Sequence, residues 1–139
     1  MNYKIIGKYV KNLNFNIPNP KTFFLLSKNI SNYKINIDIK SNQVKENIIE
    51  VLISLSLMPT KDDFEKIVTN IVFATIVEIT EKDINKDEVE RIVLVDVPSK
   101  VYSELRQIFI SLFENSGFKD VKIKEDLDFQ KLYNHKKTQ

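Results

Sequence analysis

The residues of this chain best suited to chemistry are three carboxylates, Asp38, Glu50 and Glu78, each set in a run that reads as a strand. A strand carboxylate pressed against an apolar pocket has a raised pKa and works as a general base. On the wet face of a sheet the same residue is a solvated charge, and decoration of such a face is the preferred reading for each of the three. The pairs Asp62 with Asp63 and Asp126 with Asp128 resemble metal ligands, but neither has the ligand count of a calcium loop, and turn and cap roles suit them better. His135 is the sole histidine and lies in a polar tail without neighbouring cysteine or paired carboxylates. It reads as a solvated side chain rather than a ligand. No serine or threonine has the surroundings of a nucleophile elbow. Glycine occurs only at positions 7 and 117, too few for a loop that closes several amides on a phosphate. No catalytic residue, metal or cofactor is therefore expected. Phe23, Phe24, Phe129 and Tyr133 have two readings: core filling, or the rim of a groove that holds apolar segments of another chain.

Composition narrows the classes further. The chain has 139 residues and suits a single domain over 1–139, with 1–7 and 134–139 as fraying tails. Cysteine is absent and the formal charge is +2, spread over interspersed lysines and acids. No dense basic stripe marks a nucleic-acid binder, and no apolar run approaches the ~18 residues of a spanning helix, so neither nucleic acid nor direct membrane insertion is expected. A cytoplasmic setting is consistent with the lack of disulfides and of a signal peptide.

The elements that must position these residues follow from periodicity. Tyr9, Leu13, Phe15 and Ile17 alternate with Asn12, Asn14 and Asn16 as a half-buried strand, stopped by Pro18 and Pro20. Thr22–Asn29 is a greasy segment fit for a short lid packed on a sheet. Tyr33, Ile35, Ile37 and Ile39 oppose Lys34, Asn36, Asp38 and Lys40 without exception. After a polar turn at Ser41–Asn47, Ile49 to Leu57 repeat the two-residue period, and Pro59–Asp63 reads as a turn. Phe64–Thr80 has apolar residues on both faces. Short turns favour an antiparallel meander, and the first strand stays at an edge. Lys82–Val97 fits a short helix or a fifth strand, its acids favouring helix. Pro98–Gly117 is the one long helix: Val101, Tyr102, Leu105, Ile108, Phe109, Leu112 and Phe113 form a wide apolar stripe, with Asp96 or Ser99 as cap and Gly117 as stop. Ile110 lies among Ser103, Glu104, Gln107, Ser111 and Glu114 on the far side. A helix that meets a second helix would use it, which points to an oligomer. Asp128 caps a last short helix carrying Phe129, Leu132 and Tyr133.

Several stretches together resemble the protein-export chaperone family SecB. Tyr9-Val10-Lys11-Asn12-Leu13-Asn14-Phe15-Asn16-Ile17-Pro18-Asn19-Pro20 is similar to the family's first strand, Y-x-K-D-[LI]-S-F-E-x-P-N-x-P, with the last proline one residue early. Val97-Pro98 and the following Val101 to Arg106 look like its C-P then L-F-P-Y-A-R, without the cysteine and second proline. Gly117-Phe118 and Leu127 to Tyr133 resemble its G-F and P-[VI]-x-F-x-x-L-[YF] ending. The matches keep order and spacing from Tyr9 to Tyr133.

The resemblance implies an α+β fold, a four-stranded antiparallel sheet with one long helix and short flanking helices on one face, assembled as a dimer of dimers with the long helices between two sheets. It implies an ATP-independent holdase that binds unfolded precursor proteins on apolar grooves and passes them to the SecA motor. On this reading Phe23, Phe24, Ile35, Ile37, Phe129, Leu132 and Tyr133 form the client groove. Tyr9, Leu13, Ser103, Gln107, Ile110, Ser111 and Glu114 form the interfaces of a homotetramer. The family's acidic motor-docking positions align with Asn12, Asn16 and Asn70, which keep shape but lose charge, so docking of SecA is weakened. Two rivals predict different behaviour. A small α+β enzyme of thioesterase or isomerase type needs Asp38, Glu50 or Glu78 in a closed pocket, and a SecB-like chaperone dedicated to an antitoxin binds one client and ignores the rest.

Overall fold

The computed structural model describes residues 2–30, 33–59, 68–118, 121, 123, 125 and 127–137. The chain runs β1 (Tyr3–Asn16), α1 (Pro20–Asn29), β2 (Tyr33–Lys45), β3 (Ile48–Pro59), β4 (Val68–Ile79), α2 (Lys86–Arg91), a π-helical turn (Ile92–Asp96), α3 (Val97–Asn115) and α4 (Phe129–Lys137). The four strands form one antiparallel sheet in the order β1-β4-β3-β2. The expected α+β layers are present, but the meander holds only for β2, β3 and β4. β1 pairs with β4 instead of β2, because its link to β2 is not a short turn but carries α1. β1 is an edge, as expected, and β2 is the other.

Alternation decides which face of the sheet is covered. Ile49, Val51, Ile53, Leu55 and Leu57 of β3 and Ile71, Phe73, Val77 and Ile79 of β4 are buried in one core. Tyr33, Ile35, Ile37 and Ile39 of β2 pack partly against it. The opposite, outer row of β2 is exposed, while that of β4 is half-buried apart from Ala74, which is buried. The β2–β3 connection is tighter than the polar stretch Ser41–Asn47 suggested. Pairing continues to Lys45, and Asn47 takes φ 66°, a left-handed conformation that asparagine tolerates better than most residues. The turn at Pro59–Asp63, with the acidic pair Asp62 and Asp63, lies outside the described residues beyond Pro59.

β1 departs most from its expected pattern. It starts at Tyr3, whose side chain is buried, so residues 3–7 belong to the sheet rather than to a tail. Its register shifts between Ile5 and Gly7 and again between Val10 and Asn12. Each extra residue reverses which face the following side chains reach. Tyr9, opposite Ala74, therefore shares the outer face with Asn12, Asn14 and Asn16, while Leu13 and Phe15, opposite Ile71 and Thr69, share the inner one.

The ambiguous stretch before Pro98 is helical and continuous with the long helix. α2 opens at Asn85, whose side chain accepts from the Glu88 amide at 2.8 Å, and Asp87 and Glu88 lie in its first turn beside the helix dipole's positive end. Asp96 has helical φ and ψ of −65° and −51° and makes no capping bond, so the cap expected at Asp96 or Ser99 does not exist. Pro98 sits inside the rod instead. Its missing N–H would deprive the Leu94 carbonyl of its ordinary partner. The wide turn just before it absorbs this: the Val97 amide donates to the Ile92 carbonyl, five residues back. Val101, Tyr102, Leu105, Phe109 and Phe113 are buried as the stripe predicted, and area removed from water makes each large one worth ~1.5–3 kcal/mol. The helix stops where Gly117 takes φ +95°, with the Phe118 amide donating to Phe113 O at 3.0 Å and the Gly117 amide to Glu114 O at 3.3 Å. The Phe113 and Phe118 rings meet with centroids 5.8 Å apart, the apolar contact that usually closes such an ending.

Candidate functional site

An open apolar pocket of ≈ 160 Å³ lies at the free edge of the sheet. Its floor is Ile37 and Ile39 of β2, and its walls are Leu94 of the π-helical turn with Phe129, Leu132 and Tyr133 of α4, Asp38 standing at its margin. α4 is placed there by Asp128, whose Oδ1 accepts from the Lys131 amide at 3.0 Å, the cap foreseen in the sequence. Phe129 is buried against Tyr102 of α3, ring centroids 5.8 Å apart, and Tyr133 is buried beside it. Leu132 is 46% exposed and forms the rim.

Four of the seven expected groove residues, Ile37, Phe129, Leu132 and Tyr133, thus meet at one pocket. Ile35 lies two residues along β2 on the same face. Phe23 and Phe24 lie elsewhere. Phe23 packs on Phe118 at 4.9 Å, and Phe118 on Phe113, which places α1 by the C-terminal end of α3. Tyr102 and Phe113 are eleven positions apart, so the two apolar sites are separated by roughly 16 Å along the rod. At the second site Phe24 is 69% exposed. Sequence reading missed Ile39 and Leu94. Ile39 shares the period of Ile35 and Ile37 and was open to the same argument, whereas Leu94 faces the pocket only because the π-helical turn and α4 come together.

The expected interface residues fall on two surfaces. Leu13, together with Val10, is exposed on the inner row of β1. Lys8 of the same row pairs with Glu104, which brings this edge beside the Glu104, Ile108 and Ser111 side of α3. There a shallow depression of ≈ 340 Å³ is lined by Gln107, Ile108, Ser111, Leu112, Asn115 and Ser116. Ser103 and Glu114 are exposed and Ile110 is half-buried. Tyr9 is turned away from this group, onto the outer face.

On that outer face Tyr9 belongs to a network that sequence reading did not find. Its hydroxyl donates to Glu50 Oε2, Lys11 Nζ lies 3.0 Å from Glu50 Oε1, and Asn42 Nδ2 donates to the same oxygen at 3.3 Å. Tyr9 and Lys11 come from β1, Glu50 from β3 and Asn42 from β2, so Tyr9 must cross β4. It does so where Ala74, the smallest residue of that row, lies opposite it. The hydrogen bonds from Tyr9 and Lys11, aided by Asn42, hold the Glu50 carboxyl below the usual carboxylate range. The same bonds push the Tyr9 phenol and the Lys11 ammonium up. Glu50 is therefore an ionised anchor, the opposite of a carboxylate poised to take a proton at neutral pH. Glu78 is paired with Lys4 at 3.2 Å. Asn12, Asn16 and Asn70 all lie on this outer face, with Asn14 opposite Asn70, whose Oδ1 has no hydrogen-bond partner among the described residues. Among those residues no group of three histidines or acids gathers as metal ligands would.

Comparison with known proteins bears on what these surfaces are for. The family described as Preprotein translocase subunit SecB matches residues 1–139. A putative protein-export protein SecB of Pelagibacter ubique is 39% identical over 132 residues, covering 95% of this chain and 94% of that one. The protein-export protein SecB of Anaplasma phagocytophilum is 22% identical over 142 residues, covering 94% and 89%. Among solved structures, a SecB-like chaperone of Mycobacterium tuberculosis in complex with an antitoxin peptide superposes with a TM-score of 0.63 at 11% identity, covering 88% of this chain and 89% of that one. A likeness at that identity bears on the fold alone.

Proposed function

The chain belongs to the SecB family of protein-export chaperones, and from that premise we propose that it is an ATP-independent holdase that keeps unfolded precursor proteins competent for export. The observation that carries this is the open apolar pocket at the free edge of β2, with Leu132 exposed on its rim. A site of this kind takes an extended apolar segment without sequence-specific chemistry. Binding the unfolded form alone shifts a client's folding equilibrium by mass action, so no nucleotide is required. Ile35, Ile37, Phe129, Leu132 and Tyr133 form one part of the client groove, and Phe23 and Phe24 a second part farther along α3. A client long enough to span both would gain from each without any new contact.

Two copies pair along the exposed β1 edge, through Leu13 and Val10 beside α3, and two such pairs meet through the outward faces of α3 around Ile110 to give a homotetramer. The setting is the cytoplasm, in keeping with the absence, among the described residues, of a helix long and apolar enough to cross a membrane. The partner for release is the SecA motor, met on the outer face. There Asn12, Asn16 and Asn70 offer hydrogen bonds in place of charge, so this contact is slower to form and less sensitive to salt than an acidic one.

The enzyme alternative required a carboxylate with a raised pKa in a closed pocket. Glu50 has the reverse shift and lies on the sheet's outer face, while the one carboxylate at the pocket, Asp38, is exposed at its margin. The antitoxin-dedicated alternative shares its fold with the Mycobacterium tuberculosis SecB-like chaperone, which was solved in complex with an antitoxin peptide, and a likeness of fold does not choose between one client and many. Fluorescence anisotropy with several different proteins, each in a chemically unfolded and in its native form, separates the readings. Binding of several unfolded chains and of no folded one is expected. Failure to bind any unfolded chain overturns the proposal, and binding of a single client alone turns it to the dedicated form.

A further inference from the structure

The outward face of α1 is both greasy and basic. At the helical repeat Phe24, Lys28, Lys21 and Leu25 fall within about 100° of arc, while Thr22 and Leu26 are buried on the other side. Phe24 is 69% and Leu25 43% exposed. α1 carries no acidic residue, and among the described residues neither Lys21 nor Lys28 is in an ion pair. The helix is nevertheless firmly seated. Asn19 Oδ1 accepts from the Thr22 amide at 2.8 Å, and Phe23 wedges between Phe118 and Phe24 at centroid distances of 4.9 and 5.8 Å. Two exposed apolar side chains are thus held on a fixed frame between two ammonium groups that pair with no acid among the described residues.

We propose that this face selects client segments in which apolar residues are flanked by acidic ones. The inference rests on the chaperone reading and names the class of segment it prefers. Lys21 and Lys28 are seven positions apart, roughly 10 Å along the axis, a distance an extended peptide covers in about three residues. A segment with acids three or four residues apart and apolar residues between them places each acid near a lysine while its centre lies on Phe24 and Leu25. A segment flanked by lysines meets like charge at both ends. The formal charge of +2 on the whole chain favours the same clients at longer range. A bilayer is the weaker fit, because a helix of ten residues offering two apolar side chains falls short of the apolar area that interfacial binding requires.

The test uses the full-length protein and two fluorescent peptides that share one apolar centre and differ only in flanking glutamates or lysines. The glutamate form binds about tenfold more tightly at low salt, a gap that closes to under about twofold near 0.5 M salt. The double variant Lys21→Glu/Lys28→Glu, whose fold is checked by circular dichroism, reverses the preference, and Phe24→Ser weakens both peptides. Equal affinities in the wild type, with both peptides bound, overturn the inference and leave the chaperone reading standing. Binding of neither peptide overturns both. Sedimentation with anionic vesicles, lost in the double variant and accompanied by no peptide preference, reassigns the face to a lipid surface and also overturns the inference.

Discussion

Replacing Gly117 with alanine tests whether the end of the long helix is held by backbone geometry. At φ +95° an L side chain pays the left-handed penalty, ~1–2 kcal/mol. The added Cβ would stand 3.2 Å from Phe23 Cε2 and 3.3 Å from Phe23 Cζ, tighter than ordinary contact. Phe23 is backed by Phe118 and Phe24, at centroid distances of 4.9 and 5.8 Å, so crowding raises the total to ~2–3 kcal/mol. For a domain of this size that lowers Tm by roughly 8 °C. Calorimetry at one fixed protein concentration is the assay, since the proposed self-association would make Tm depend on concentration. Ser116→Ala, at the preceding residue with φ −99°, is the control and should stay within ~0.5 kcal/mol. If Gly117→Ala melts within ~1 °C of the wild type, the Schellman ending and its contact with Phe23 do not hold the helix as described.

Four further outcomes follow from the site and the assembly. Because Glu50's folded-state pKa is depressed, its contribution to stability is present above the ordinary carboxylate value near 4.3 and is lost as pH falls through the folded value; Glu50→Gln should flatten the acid limb of a stability-against-pH curve, and an unaltered limb would contradict the network. Tyr9 and Lys11 have raised values, so their contribution is complete below about pH 10 and is lost as pH rises further, which the alkaline limb of Tyr9→Phe checks. Leu132→Asp puts a charge on the pocket rim and should weaken client binding about tenfold by anisotropy while leaving Tm nearly unchanged, the side chain being half-exposed. Ile110→Arg should lower the sedimentation coefficient from that of a tetramer toward that of a dimer; an unchanged value counts against the assembly.

Much of the architecture was legible because one face of the sheet is wet and the other dry. Ile35, Ile37 and Ile39 alternate without a break, so β2 announced both its existence and its orientation. The long helix declared its buried stripe and its stop at Gly117, since both depend on local spacing and a single glycine. Its start was hidden. Pro98 normally marks a first turn, and no local pattern distinguishes that from a proline whose missing bond is absorbed by a π-helical turn. β1 was half read for a related reason. The register shift between Val10 and Asn12 reverses its parity, so a strict period put Tyr9 on the same side as Leu13, when the bulge places them on opposite faces. The Glu50 network was invisible because its members are 8, 39 and 41 residues apart and meet only once β1 has paired with β4. The groove was read as one surface, yet the aromatic residues on α1 and α4 pack near opposite ends of α3, and the packing partners that separate them, Tyr102 and Phe118, come from elsewhere in the chain.

The central claim is that apolar surface on this protein stays open to chains that have not folded. Light scattering of a heat-aggregating client, with and without the protein and with no nucleotide present, tests it most directly. The account predicts that scattering falls as the protein approaches stoichiometric amounts, and that Leu132→Asp blunts the effect. Aggregation that proceeds at the same rate at every ratio would contradict it.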